Sequence, residues 1–118
     1  MADVPSVRLA DAHLKSSGYW LIRGKVKGIE AFRKRTATAA SGDFSPYDSG
    51  CEGLRIVDDS RFEIILNSPD PRFIYTLAMP YFSVVSRRAV EYWGDRFADH
   101  PVGSGPFILT RWQKDYQI

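Results

Sequence analysis

The chain reads as an α+β fold, and three observations carry that reading. Leu54 and Ile56, then Phe62, Ile64 and Leu66, alternate with polar neighbours on either side of Asp58-Asp59-Ser60, which is the pattern of a β-hairpin. Two later stretches place apolar residues three and four apart behind the capping residues Asp70 and Ser86, which is the pattern of short helices. Finally, 118 residues with 44% hydrophobic and 14% aromatic content are enough for one core but hardly for two.

Taken in order, Val7, Ala10 and Leu14 fall at helical spacing and predict a helix over residues 6–15, stopped by Ser16-Ser17-Gly18. Tyr19-Trp20-Leu21-Ile22 follows as an aromatic and aliphatic cluster. It either packs in the core or, at Tyr19, shows a ring and hydroxyl to a ligand. Six bases then lie between Arg23 and Arg35, with Ile29 and Phe32 marking one short amphipathic helix after Gly28. Residues 36–52 are rich in Ala, Ser, Gly and Asp and read as a long loop.

After the hairpin, Asp70 and Pro71 start a helix with Phe73, Ile74, Leu77 and Ala78 on one stripe, ended by Pro80. Residues 81–85 read as extended. Ser86 caps the next helix, in which Ala89, Val90, Trp93 and Phe97 face inward and Gly94 marks a break. Pro101, Gly103, Gly105 and Pro106 then make a sharp corner before a strand over residues 107–112. Gln113-Lys114-Asp115 turns toward a further strand beginning at Tyr116. A strand start at that point leads to the expectation that the chain is an internal piece of something longer.

Several function classes lose support at this stage. The net charge is only +2, and acids and bases are interspersed, so nucleic-acid binding rests on the run from Arg23 to Arg35 alone, without a base-reading motif. That small basic module is the second functional reading. The single cysteine, Cys51, lies in a polar, glycine-flanked stretch with no histidine or second cysteine near it, and reads as an incidental thiol. Asp58 and Asp59 sit at a hairpin tip, where Asp bonds its own backbone, and read as turn formers. His13 and His100 stand in no nucleophile or metal motif, and Gly103-Ser104-Gly105 lacks the lysine and spacing of a phosphate loop. No enzyme, metal or cofactor is expected. No apolar run approaches the ~20 residues of a membrane span, and the first residues lack the pattern of a secretory signal.

The order of segments is itself specific. Gly53-Leu54-Arg55-Ile56-Val57-Asp58-Asp59, Ser68-Pro69-Asp70-Pro71-Arg72-Phe73, Leu77-Ala78-Met79-Pro80, Arg88-Ala89-Val90-Glu91, Gly94-Asp95 and His100-Pro101-Val102-Gly103-Ser104-Gly105-Pro106-Phe107 together resemble family 5 extracellular solute-binding proteins. Upstream, Arg8-Leu9-Ala10-Asp11 and Ser17-Gly18-Tyr19-Trp20 resemble segments of the same family. The chain departs from the family where Ala12 replaces a usual proline and where one residue before Arg8 is missing.

The resemblance implies the binding component of an ABC importer, of dipeptide or oligopeptide type, which captures a peptide or related solute without chemistry by closing two lobes. It implies a periplasmic or lipoprotein location for the parent, with an ABC permease as partner and no nucleic acid. Residues 1–105 would be most of the small subdomain of the first lobe, and residues 106–118 a strand returning to that lobe's sheet. Tyr19, with Trp20 as its neighbour, would line the ligand cleft. The family carries peptides, nickel, heme, sugars and opines on one scaffold, so the resemblance does not choose the solute.

Overall fold

Helix formation near the start of the chain stops sooner than the apolar spacing predicts. In a computed structural model describing residues 5–113, helix α1 covers only Pro5–Leu9, and Leu14 is left 46% exposed. Two side chains explain the stop. Ala12 N donates to Thr36 Oγ1 at 3.0 Å and His13 N donates to Asp11 Oδ1 at 2.9 Å, which removes the amides that a continuing helix would use. Val7, Leu9 and Ala10 still reach the core.

Described separately, the chain forms two compact units divided between Val84 and Val85. The first is built around helix α2, Ile29–Thr38, which begins after Gly28 at φ 73°, a left-handed angle that glycine adopts at no steric cost. Ile29, Phe32 and Thr36 lie on its buried face. Phe32, Ile22, Ile29 and Val26 are fully buried, each removing apolar area worth about 1.5–3 kcal/mol. Leu21, Leu54, Phe73 and Phe82 complete this core. Helix α2 runs to Thr38 and a short helix α3 covers Ser45–Asp48 with Pro46 in its first turn. The last turn of α2 and all of α3 fall within residues 36–52, where a loop is predicted. Phe32 and Tyr47 meet edge to face at 5.3 Å between ring centroids, which draws α3 onto α2.

The hairpin forms as expected. Strands β1, Leu54–Asp58, and β2, Arg61–Ile64, pair antiparallel with Leu54 opposite Ile64 and Ile56 opposite Phe62, and a register shift falls between Ile56 and Asp58. Only its base is buried: Leu54 is 7% exposed, whereas Ile56 and Phe62 are 51% and 56% exposed. At the tip, Asp58 Oδ1 accepts from Ser60 N at 2.9 Å and Oδ2 accepts from Arg61 Nε at 2.8 Å, so Asp58 is a turn former. The segment before α2 docks on the hairpin's open end. Lys27 N donates to Ile65 O at 2.9 Å, Gly53 N donates to Lys27 O at 2.8 Å, and Asn67 N donates to Lys25 O at 2.8 Å.

Helix α4, Phe73–Leu77, follows a turn in which Asp70 Oδ1 accepts from Arg72 N at 3.1 Å. Phe73 is buried, while Ile74 is 67% exposed, so the predicted stripe is narrower than its sequence spacing. Pro80–Phe82 is a 3₁₀ turn rather than an extended segment: Ser83 N donates to Pro80 O at 3.1 Å, and proline in the first turn is compatible with that geometry.

In the second unit, Ser86 Oγ accepts from Ala89 N at 3.4 Å and caps helix α5, Arg87–Trp93. Gly94 ends α5 at φ 51° and a 3₁₀ segment runs to Asp99. The Trp93 and His100 rings stack 3.5 Å apart between centroids. The corner that follows is open. Neither Gly103 nor Gly105 takes a positive φ, and no atom other than Gly105 N, at 3.9 Å, approaches the place of a Gly103 side chain. The predicted strand over residues 107–112 is irregular here, with Phe107 91% and Ile108 87% exposed. A strand needs a ladder partner, and the described residues provide none for this segment. The strand start at Tyr116 lies outside the described residues.

Candidate functional site

Tyr19 and Trp20 occupy a 3₁₀ turn, Tyr19–Leu21, whose geometry separates their roles. With three residues per turn, Tyr19 and Ile22 share a side, and Trp20 points about 120° away. Ile22 is fully buried and Leu21 is 4% exposed, so the turn is pinned to the core. Tyr19 is therefore half-buried against that core, and Trp20 is 66% exposed. Leu21 N donates to Gly18 O at 3.0 Å, and both Ile22 N and Arg23 N donate to Tyr19 O, at 3.1 and 3.0 Å. The backbone under the pair is thus held at several points.

A guanidinium covers one face of the Tyr19 ring. Arg33 Cζ lies 4.3 Å from the ring centroid, and Arg33 Nη1 donates to Ala10 O at 3.4 Å. Burial pushes the Tyr19 phenol above its ordinary range; Glu30 adds to that, while Arg33 and Arg23 oppose it. On the preceding side, the Tyr81 ring packs against Gly18, and its hydroxyl lies 3.2 Å from Ser17 Oγ. The arrangement offers a flat exposed indole, a phenol and a hydroxyl pair, which are groups for noncovalent contact.

The sequence reading did not single out Arg33 as a partner of Tyr19, nor Tyr81 as a neighbour of Gly18. Both contacts join residues far apart in the chain, and no local pattern announces them. Thr36 was also missed. It is 2% exposed, accepts from Ala12 N and donates to Arg33 O at 2.9 Å.

The basic run is largely used within the fold. Lys25 pairs with Asp70 at 3.4 Å and Lys27 with Glu52 at 2.7 Å. Arg33 covers Tyr19, and Arg35 donates to Gly50 O. These contacts weaken the reading of Arg23 to Arg35 as a nucleic-acid face, which needs its charges directed at phosphates. His13 Nε2 lies 3.0 Å from Ala39 O, and His100 is stacked on Trp93. Cys51 is a core residue rather than a loop thiol: it is 7% exposed and its Sγ donates to Lys27 O at 3.4 Å. Burial pushes its thiol pKa up, opposite to what a reactive cysteine requires. No helix among the described residues is long and apolar enough to cross a membrane.

Comparison with known proteins bears on the family of the chain. Residues 10–118 match the family described as bacterial extracellular solute-binding proteins, family 5 middle. The chain is 40% identical over 79 residues to the dipeptide-binding protein of Pseudomonas aeruginosa, covering 60% of this chain and 14% of the relative. It is 33% identical over 75 residues to di/tripeptide-binding protein 2 of the same species, covering 57% and 14%. It is also 37% identical over 59 residues to the glutathione-binding protein GsiB of Salmonella choleraesuis, covering 50% and 12%. The matched stretch thus spans about a seventh of the length of the first two relatives. No solved structure matches the chain.

Proposed function

The chain belongs to the bacterial extracellular solute-binding proteins of family 5, and from that premise we propose that it is part of the substrate-binding component of an ABC importer for peptides or related solutes. The match over residues 10–118 carries this reading, and the names of its relatives, for dipeptides, di/tripeptides and glutathione, support the solute class. Capture is noncovalent and involves no reaction on the solute. In the parent, two lobes close over the ligand because only the closed state makes both sets of contacts. The parent is periplasmic or lipid-anchored outside the cell and delivers solute to an ABC permease. Residues 1–105 belong to the small subdomain of the first lobe, and residues 106–118 pair as a strand with that lobe's sheet.

Tyr19 and Trp20 are the ligand contacts in this proposal. Their core-pinned turn supports it, since a rigid aromatic loses little conformational entropy when it binds. Calorimetric titration of the 118-residue chain with dipeptides tests the division of labour between lobes. The expected result is no micromolar binding, and micromolar binding by the chain alone overturns it. In a protein carrying this segment together with its second lobe, Trp20→Ala and Tyr19→Ala are each expected to weaken dipeptide binding. Unchanged affinity in both variants removes them from the site.

A further inference from the structure

We propose that Arg33 is a positioning residue for Tyr19, holding the phenol so that its hydroxyl donates to a carbonyl or carboxylate oxygen of the solute; this rests on the reading of Tyr19 as a cleft residue. The geometry begins with helix α2. Ile29, Phe32 and Thr36 fix that helix to the core, and Thr36 Oγ1 donates to the backbone oxygen of Arg33 itself. From this support, the guanidinium lies 4.3 Å from the Tyr19 ring centroid and reaches Ala10 O with one of its five donors. One helical turn earlier on α2, Glu30 Oε1 accepts from Gly24 N at 2.6 Å. Helix α2 therefore holds the segment carrying Tyr19 at two points, the ring through Arg33 and the following loop through Glu30.

The orientation has a chemical consequence. The Tyr19 hydroxyl has no hydrogen-bond partner among the described residues, while its ring is covered on one face by a cation. A cation over the ring stabilises negative charge on the phenol, which makes the hydroxyl a stronger donor. Burial and then Glu30 leave the Tyr19 phenol above its ordinary range, and Arg33 offsets part of that rise. The hydroxyl is therefore a stronger donor with Arg33 in place than without it. A peptide backbone or terminal carboxylate presents the matching acceptor.

The first test uses the 118-residue chain with carbon-13-labelled tyrosine, with Tyr19→Phe assigning the Tyr19 signal. In Arg33→Met, the Tyr19 ring resonances should move and its titration midpoint should rise, with the other tyrosines unchanged. Arg33→Lys keeps the charge but loses the planar guanidinium, so it should fall between the unsubstituted chain and Arg33→Met. If Arg33→Met unfolds the chain, Arg33→Gln keeps an amide donor and serves in its place. A Tyr19 signal and midpoint identical to those of the parent in the folded variant overturn the proposal.

The second test measures alanyl-phenylalanine binding in a protein carrying this segment with its second lobe. Arg33→Met should weaken binding about two- to fivefold, the range of a single exposed cation–π contact, with partial rescue by Arg33→Lys. If Tyr19→Ala weakens binding and Arg33→Met does not, positioning by Arg33 is refuted while the cleft reading stands. If Tyr19→Ala has no effect, the cleft reading itself fails and the role of Arg33 in recognition falls with it.

Discussion

Gly18 and Tyr81 meet without room for a single methyl group: a side-chain carbon on Gly18 would come within 2.7 Å of Cγ and Cδ1 of the tyrosine ring. Gly18 has φ −86°, an angle that any residue adopts, so the requirement for glycine here comes from the ring and not from the backbone. Gly18→Ala is therefore expected to destabilise the chain by about 1–3 kcal/mol through overpacking. The check is thermal unfolding of Gly18→Ala with and without Tyr81→Ala. The double variant should recover much of the loss, and simple additivity would refute the contact.

Gly53 is more tightly enclosed, and by backbone. A side-chain carbon there would lie 2.5 Å from Lys27 O, 2.7 Å from Lys27 N and 2.9 Å from Ile65 O. These are the groups that join residues 25–27 to the hairpin. Gly53→Ala should cost more than Gly18→Ala, because peptide groups cannot rotate aside as a ring can. Gly105→Ala meets nothing within 4 Å and no positive φ, so it should be neutral or stabilise by up to about 1 kcal/mol. Urea unfolding of both variants gives the comparison.

Thr36 joins the start of the chain to helix α2 through one hydroxyl. Thr36→Val keeps the shape but leaves Ala12 N without its acceptor, at an expected cost of about 1–3 kcal/mol. Thr36→Ser keeps the hydroxyl and should lose less. Amide exchange at Ala12, slow in the parent and fast in Thr36→Val, reports the same bond directly.

The Cys51 thiol should react slowly with a disulfide reagent in the native chain and rapidly once the chain unfolds, since it is buried and its pKa is raised by burial. The pH dependence has a definite sign. An acid whose pKa is higher in the folded state contributes stability fully below the ordinary thiol range and loses it as pH rises through that range toward the folded value. Cys51→Ala should flatten this alkaline loss in pH-dependent melting curves.

At the hairpin tip, hydrogen bonds from Ser60, then the contact with Arg61, hold the Asp58 carboxyl below its usual range. Its contribution is present above the ordinary carboxylate range and is lost as pH falls through the lowered value. Cross-strand contacts between Ile56 and Phe62, followed by NMR during acid titration, should weaken along that course. Asp58→Ala should weaken them already at neutral pH.

Much of the local structure was legible because its causes are local. Asp58 bonds its own turn, Ser86 caps its own helix, and Gly28 supplies the angle that opens α2. The errors have non-local causes. Thr36 ends α1 from 24 residues away in sequence, and the ring of Phe32 gathers α3 out of an apparent loop. Cys51 looks solvated beside its glycine but is pulled inward with Leu54 at the base of the hairpin.

The sequence by itself determined the α+β class, the hairpin and its turn, the Ser86 cap of α5 and the family, because spacing, turn chemistry and segment order are written along one dimension. The cap predicted at Asp70 falls instead at Arg72, without a side-chain bond. Tertiary structure alone decided that Trp20 is exposed while Tyr19 is half-buried, that Arg33 covers one face of the Tyr19 ring, and that Tyr81 leaves no room for a side chain at Gly18. The physical reason is the same in each case. A side chain's neighbours are set by which faces of separate elements meet in the core, and residues distant in sequence carry no local mark of that meeting.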